Sequence, residues 1–101
     1  MSLDINLQAV RTVNVFYLNV PTCYKPIAEK VGILDYIWKP NELGISKAEQ
    51  LISPLAIGLQ LLESVPGHFG VAQETLDDFV ECVRKYLAAC EQNPDAEIST
   101  I

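Results

Sequence analysis

The sequence predicts a mainly α fold: three to four packed helices with a small two-stranded β ribbon formed by the N- and C-terminal segments. Three observations lead there. Apolar residues recur every three or four positions through 26–38, 48–62 and 71–92, the signature of amphipathic helices. The amino end instead alternates apolar and polar residues, and the carboxyl end is rich in strand formers. A chain of 101 residues makes one domain, 1–101, with a modest core.

At the amino end, Leu3, Ile5, Leu7 and Ala9 fall on one side and Asp4, Asn6 and Gln8 on the other, the period of a strand. Val10, Thr12, Val13, Val15, Phe16 and Tyr17 follow, and β-branched and aromatic side chains suit a pleated surface. A strand is expected over about 3–9, with extension to 16. Ile5, Ala9, Val13, Phe16 and Val20 also fit a helical spacing, so residues 10–18 admit both readings.

Pro21 ends that segment. A helix is expected from Pro26, where a missing N–H costs nothing in a first turn, to the residue before Pro40. Ile27, Val31, Leu34 and Trp38 form its stripe. "SKAE" at 46–49 has the form of a capping box, Ser46 bonding to the Glu49 N–H and Glu49 reaching back. Ala48, Leu51, Ile52, Leu55, Leu59 and Leu62 would be the buried face, and Pro54 either kinks the helix or splits it in two. The last helix, about 71–92, buries Ala72, Leu76, Phe79, Val80, Val83, Leu87 and Cys90 and stops at Asn93-Pro94. Ile98, Thr100 and Ile101 then supply the strand that pairs with the amino end.

Composition bounds the function. Half of the residues are hydrophobic, more than a domain this small hides, so some apolar area is expected to meet a second copy or a partner. The formal net charge is −6, and only Arg84 and Lys85 of the seven basic residues are adjacent. Phosphate backbones and anionic lipid both demand clustered cations, so neither nucleic acid nor a membrane is the expected partner. The uncharged run Gln50–Leu62 has 13 residues, too few to span a bilayer. The amino end lacks a basic region followed by an apolar run, and the three cysteines are an odd number. Reduced thiols in a cytoplasm are the expectation.

Candidate chemistry is sparse. His68, the single histidine, lies in "VPGHFG", where Pro66-Gly67 and Gly70 account for a change of direction. No CxxC or HxxxH pair accompanies it, so no metal site is assigned. Cys82 and Cys90 are eight apart, about 80° around a helix, which is no chelating pair. Cys23 in Pro-Thr-Cys-Tyr is the thiol with a turn context, and no glycine-rich phosphate loop exists. No cofactor and no catalytic residue is expected. "IAEKVGI" at 27–33 resembles the start of a helix-turn-helix, yet "ILDYIWKP" follows with one lysine and no base-reading Arg, Asn or Gln.

The chain resembles a loosely defined set of small bacterial and phage proteins of unknown function. The likeness is carried by Asn19-Val20 after a strand and by "GLxLL" at Gly58 to Leu62. It continues in the Pro66-to-Phe69 turn, in "YLxAC" at Tyr86 to Cys90 and in "NPDAEI" from Asn93 to Ile98. Those relatives often carry an Asn-Gly-Trp-Gly loop before the last helix, and this chain lacks it. The resemblance implies the terminal strand pair and supplies no substrate.

The expected function is therefore a non-catalytic protein-interaction or regulatory accessory module, a homodimer that also binds a protein partner. Its expected surface comprises Tyr17, Asn19, Tyr24, Tyr36, Trp38 and His68, since aromatic side chains often anchor interfaces. The alternative is a small ligand-binding domain or enzyme with a pocket near His68 and Cys23. A degenerate helix-turn-helix DNA binder comes third.

Overall fold

The computed structural model describes residues 2–8, 14–64 and 73–100. Two strands come first, β1 (Ser2–Gln8) and β2 (Asn14–Pro21), then four α-helices among the described residues: α1 (Lys25–Lys30), α2 (Leu34–Trp38), α3 (Ile52–Ser64) and α4 (Gln73–Gln92). A third strand, β3 (Glu97–Thr100), ends the order. The protein is mainly α with a small antiparallel sheet that joins its two ends.

The ribbon has one strand more than the sequence reading gives it. Residues 14–21 are extended, which settles that part of the ambiguous segment in favour of strand, and the sheet order is β2-β1-β3. β1 is thus central. Ile5 pairs with Leu18 on one side and with Thr100 on the other, and Leu7 with Phe16 and Ile98. The alternation works as its period demands: Leu3, Ile5 and Leu7 are buried, whereas Asp4, Asn6 and Gln8 point to the other face. Between Leu7 and Gln8 the β2 partner passes from Phe16 to Asn14, a bulge.

The expected single helix over 26–39 is two short ones. Gly32 takes φ +77°, a conformation open to glycine because it has no Cβ. The Gly32 N–H donates to the Glu29 carbonyl at 3.1 Å and the Ile33 N–H to the Ala28 carbonyl at 2.9 Å, the paired bonds of a Schellman end. This break rotates the stripe. Ile33 and Ile37 are buried, while the expected Leu34 and Trp38 are only half-buried. The same device recurs after the 3-10 turn Pro40–Leu43, where Gly44 has φ +74° and Ile45 N–H reaches the Pro40 carbonyl at 3.0 Å.

The capping contact at 46–49 is displaced by one residue from expectation. Gln50, not Glu49, reaches back, its Oε1 accepting from the Ser46 and Lys47 N–H groups at 2.9 and 3.0 Å. The next donors go to the chain's end: Ala48 N–H to the Ala96 carbonyl and Glu49 N–H to the Pro94 carbonyl, at 2.9 and 3.0 Å. Residues 48–51 form a 3-10 turn, and α3 begins at Ile52. Pro54 therefore sits in a first turn, where its missing N–H is harmless, and the helix runs on from it.

α4 carries the largest share of the core. Leu76, Phe79, Val83, Tyr86, Ala89 and Cys90 are buried against Leu55 and Leu62 of α3 and the inner side of the sheet. Ala72 lies outside the described residues. Where the α1–α2 turn meets α3, Gly58 is buried under Ile33, and a Cβ there would overlap the Ile33 side chain. Gly58→Ala should therefore destabilise the protein by about 1–3 kcal/mol in urea unfolding, as overpacking does. Ile33→Ala alone should cost about 2–5 kcal/mol through its cavity. Combined, the two should cost clearly less than their sum, since the trimmed Ile33 leaves room for the new methyl; additivity would refute the contact.

Candidate functional site

Two surfaces carry the side chains with chemistry to offer. The first is the outer face of the sheet, where Asp4, Asn6 and Gln8 of β1 lie between Tyr17 and Asn19 of β2 and Glu97 of β3. Asn19 stands opposite Asp4 in the register, and Tyr17 is on the diagonal. Both donate to Asp4 Oδ1, the Tyr17 hydroxyl at 2.7 Å and the Asn19 amide at 2.8 Å. Those two donors, Asn19 first, hold the Asp4 carboxyl below its ordinary range. The same bond to Asp4 raises the Tyr17 phenol. Tyr17 is 58% exposed, so its ring is displayed while its hydroxyl is fixed.

The second surface is formed by α1, α2 and α3. An open groove of about 280 Å3 is lined by Val31, Gly32, Ile33, Tyr36, Ser53, Pro54 and Ile57. A neighbouring one, about 410 Å3, is lined by Glu29, Gly32, Leu34, Asp35, Tyr36 and Leu43. Gly32 and Tyr36 line both, the first a mainly apolar trough and the second one with two carboxylates in its wall. Ile57 is 60% exposed and Leu61, one turn further along α3, is exposed too, as is Leu43. This helix is apolar on nearly every side, and its buried Leu55, Gly58 and Leu62 account for only one of them.

The expected surface residues separate in the structure. Tyr17 and Asn19 share the outer sheet face, and Tyr36 stands in the groove. Tyr24 is buried, its ring centroid 5.2 Å from that of Phe79, and it serves the core. Trp38 is half-buried with the Lys25 ammonium 5.8 Å from its ring centre, within cation–π range. The Trp38 Nε1 is buried and finds no hydrogen-bond partner among the described residues. His68 lies outside the described residues, as does the side chain of Cys23; the pocket expected between them falls there too.

Sequence reasoning passed over Ile57, Leu61 and Tyr86. The first two lie off the buried stripe of α3, and a count of apolar residues on its remaining faces would have exposed them. Tyr86 is among the largest fully buried side chains, and it continues the spacing Phe79, Val83, Tyr86, Cys90. Its ring stacks on Phe16 at 6.3 Å and 8°. Its hydroxyl has no partner among the described residues, and burial pushes its ionisation up. It closes a dry apolar seam with Leu18, Val20, Ile37, Phe79, Cys82 and Val83.

The thiols on α4 follow from that packing. Burial pushes Cys90 up to about 12 and raises Cys82, which is only half-buried. No group of three or more metal-ligating side chains occurs among the described residues, and no described helix is long and apolar enough to cross a membrane. No family model, curated protein or solved structure matches this chain.

Two outcomes are expected. Because the folded Asp4 pKa is depressed, its bonds contribute stability above the unfolded carboxylate value of about 3.9 and lose it as the pH falls through the lower folded value. In an NMR titration, Asn19→Ala should raise the Asp4 midpoint more than Tyr17→Phe does. An unmoved midpoint in both variants would rule out the paired donors. For the thiols, Cys90 should react with a thiol reagent at neutral pH only as fast as the protein unfolds, while Cys82 reacts slowly in the native state. Equal, denaturant-independent rates would contradict the burial of Cys90.

Proposed function

We propose that the chain is a non-catalytic protein-interaction or accessory module, a homodimer that takes a protein partner on the face formed by α1, α2 and α3. The observation that carries this reading is the apolar trough between Val31, Tyr36, Pro54 and the exposed Ile57, continued by Leu61. Its neighbour sets the partner's chemistry. Glu29 and Asp35 line the adjoining groove, and no ion pair joins either to a described cation. A partner segment with apolar side chains on one face and Lys or Arg beside them fits both troughs at once. The resemblance to small bacterial and phage proteins suggests a cytoplasmic accessory factor of a phage or mobile element as the setting.

A DNA-reading role has less support. The segment that would follow the helix-turn-helix-like start is α2, five residues long, without a basic residue and with Asp35 exposed. An acidic, one-turn helix opposes a phosphate backbone.

The test uses an amphipathic helical peptide of Leu and Lys, and the same peptide with Glu in place of Lys. The cationic peptide should shift the backbone NMR signals of Val31, Gly32, Tyr36 and Ile57, more weakly as salt is added. The acidic one should leave them in place. Ile57→Lys should weaken binding roughly tenfold or more, since burial of such a side chain is worth about 1.5–3 kcal/mol. Equal responses to both peptides, or shifts located elsewhere, would defeat the reading.

A further inference from the structure

Glu29 stands in the last turn of α1 and Asp35 in the first turn of α2, and the Gly32 turn between them brings both to one opening. Gly32, with its φ of +77°, closes the first helix so that the second leaves in a new direction. Both acidic residues are exposed, and they line the groove of about 410 Å3 together with Leu34, Tyr36 and Leu43. Gly32 lines it too. Among the described residues no heavy atom outside its chain neighbours lies within 4 Å of where a Gly32 Cβ would stand, so a partner's side chains can approach the backbone there.

The cations closest in sequence are engaged elsewhere. The Lys25 ammonium lies 5.8 Å from the Trp38 ring centre, and Lys39 Nζ is 3.8 Å from Glu42. No ion pair joins Glu29 or Asp35 to a described cation. The groove therefore combines two aliphatic side chains, an aromatic one and two carboxylates without a counter-charge. A ligand with an aliphatic stem and a cationic head complements all three. Lysine and arginine both answer that description, and two features select arginine. Its planar guanidinium carries donors on several edges, so one head serves two carboxylates, whereas an ammonium is a compact point charge. Its weakly hydrated face also stacks on an aromatic ring, in an open groove where an ammonium keeps its water.

We propose that the partner segment docks an arginine in this groove, its guanidinium on the Tyr36 ring and between Glu29 and Asp35. An apolar side chain of the same segment then fills the trough beside Ile57. The inference rests on the reading above and narrows the partner's cation to arginine. Gly32 and Tyr36 line both depressions, so the two anchors must be close neighbours on the partner, as residues three or four apart on a helix are.

Two amphipathic helical peptides, one of Leu and Lys and one of Leu and Arg at the same positions, are titrated into the full chain. Binding is followed by the NMR signals of Gly32, Tyr36 and Ile57. The Arg peptide should bind about two- to fivefold more tightly than the Lys peptide. Tyr36→Leu should shrink that ratio toward one, and Tyr36→Phe should keep it. Glu29→Gln with Asp35→Asn should weaken both peptides and flatten their salt dependence. Equal affinities in the wild type, with the shifts in place, would overturn the arginine and leave the docking face standing. A ratio unchanged in Tyr36→Leu would do the same. Shifts from neither peptide would overturn both. The wild-type ratio needs no variant, so it decides the matter even where Tyr36→Leu fails to fold.

Discussion

Both margins of β1 and one of its faces are engaged, and the rest of the molecule depends on that. β2 and β3 do not touch one another in the sheet; each is held through β1. Leu3, Ile5 and Leu7 supply the buried face, so the hydrophobic contact and both ladders converge on the same seven residues. β3 in turn fixes the start of α3, because the turn at 94–96 accepts the first N–H groups of the Ala48–Leu51 turn. The Ala48 and Glu49 N–H groups of that turn are satisfied by main chain of residues 94–96, which ties the two halves of the sequence together.

The polar design of the sheet follows from the same strand. Asp4, Asn6 and Gln8 must face away from the core once Leu3, Ile5 and Leu7 face it, and the carboxylate then requires donors on its own face. Tyr17 and Asn19 supply them from β2. Around Asp4 the outer sheet face is therefore ordered by neutral donors. The ion pairs among the described residues, Lys39–Glu42, Arg84–Glu63 and Arg84–Glu81, lie outside the sheet and are about half exposed or more. At that exposure such pairs add little. Apolar burial is what holds this fold.

Much of the architecture was legible in the sequence, and the parts that were not have physical causes. The alternation of β1 over Leu3–Gln8 appears as read. α4 buries the expected Leu76, Phe79, Val83 and Cys90, whereas Val80 and Leu87 are half-buried and Tyr86 and Ala89 are buried in addition. Within the ambiguous 10–18 segment, the part from residue 14 could be read either way because Phe16 and Val20, four apart, satisfy both periods; tertiary pairing with β1 decides it. The division of the 26–39 helix was visible in principle. Lys30-Val31-Gly32-Ile33 has the residue order of a helix end, but the stripe through Ile27, Val31, Leu34 and Trp38 masked it. The capping contact slipped by one position because the turn at 94–96, unknowable from local sequence, takes the donors that Ser46 was expected to meet. For the candidate site, aromatic type alone was a poor guide. It singled out Tyr17, which is exposed, and Tyr36, which is half-buried beside the groove, together with Tyr24, which packs on Phe79. It missed Ile57 and Leu61, whose significance is their exposure, a property of helix phase rather than of residue kind.

The apolar excess of the chain surfaces in two separate regions. One is the outer side of α3 with its trough beside Tyr36; the other is the β2 margin, where Phe16 and Leu18 stay half-buried. They differ in what can cover them. The trough adjoins Glu29 and Asp35, which form no ion pair with a described cation, and desolvating two such carboxylates against another acidic surface is costly unless cations arrive with the partner. The β2 run from Phe16 to Val20 carries no charge, so covering its half-buried Phe16 and Leu18 desolvates no ionised side chain.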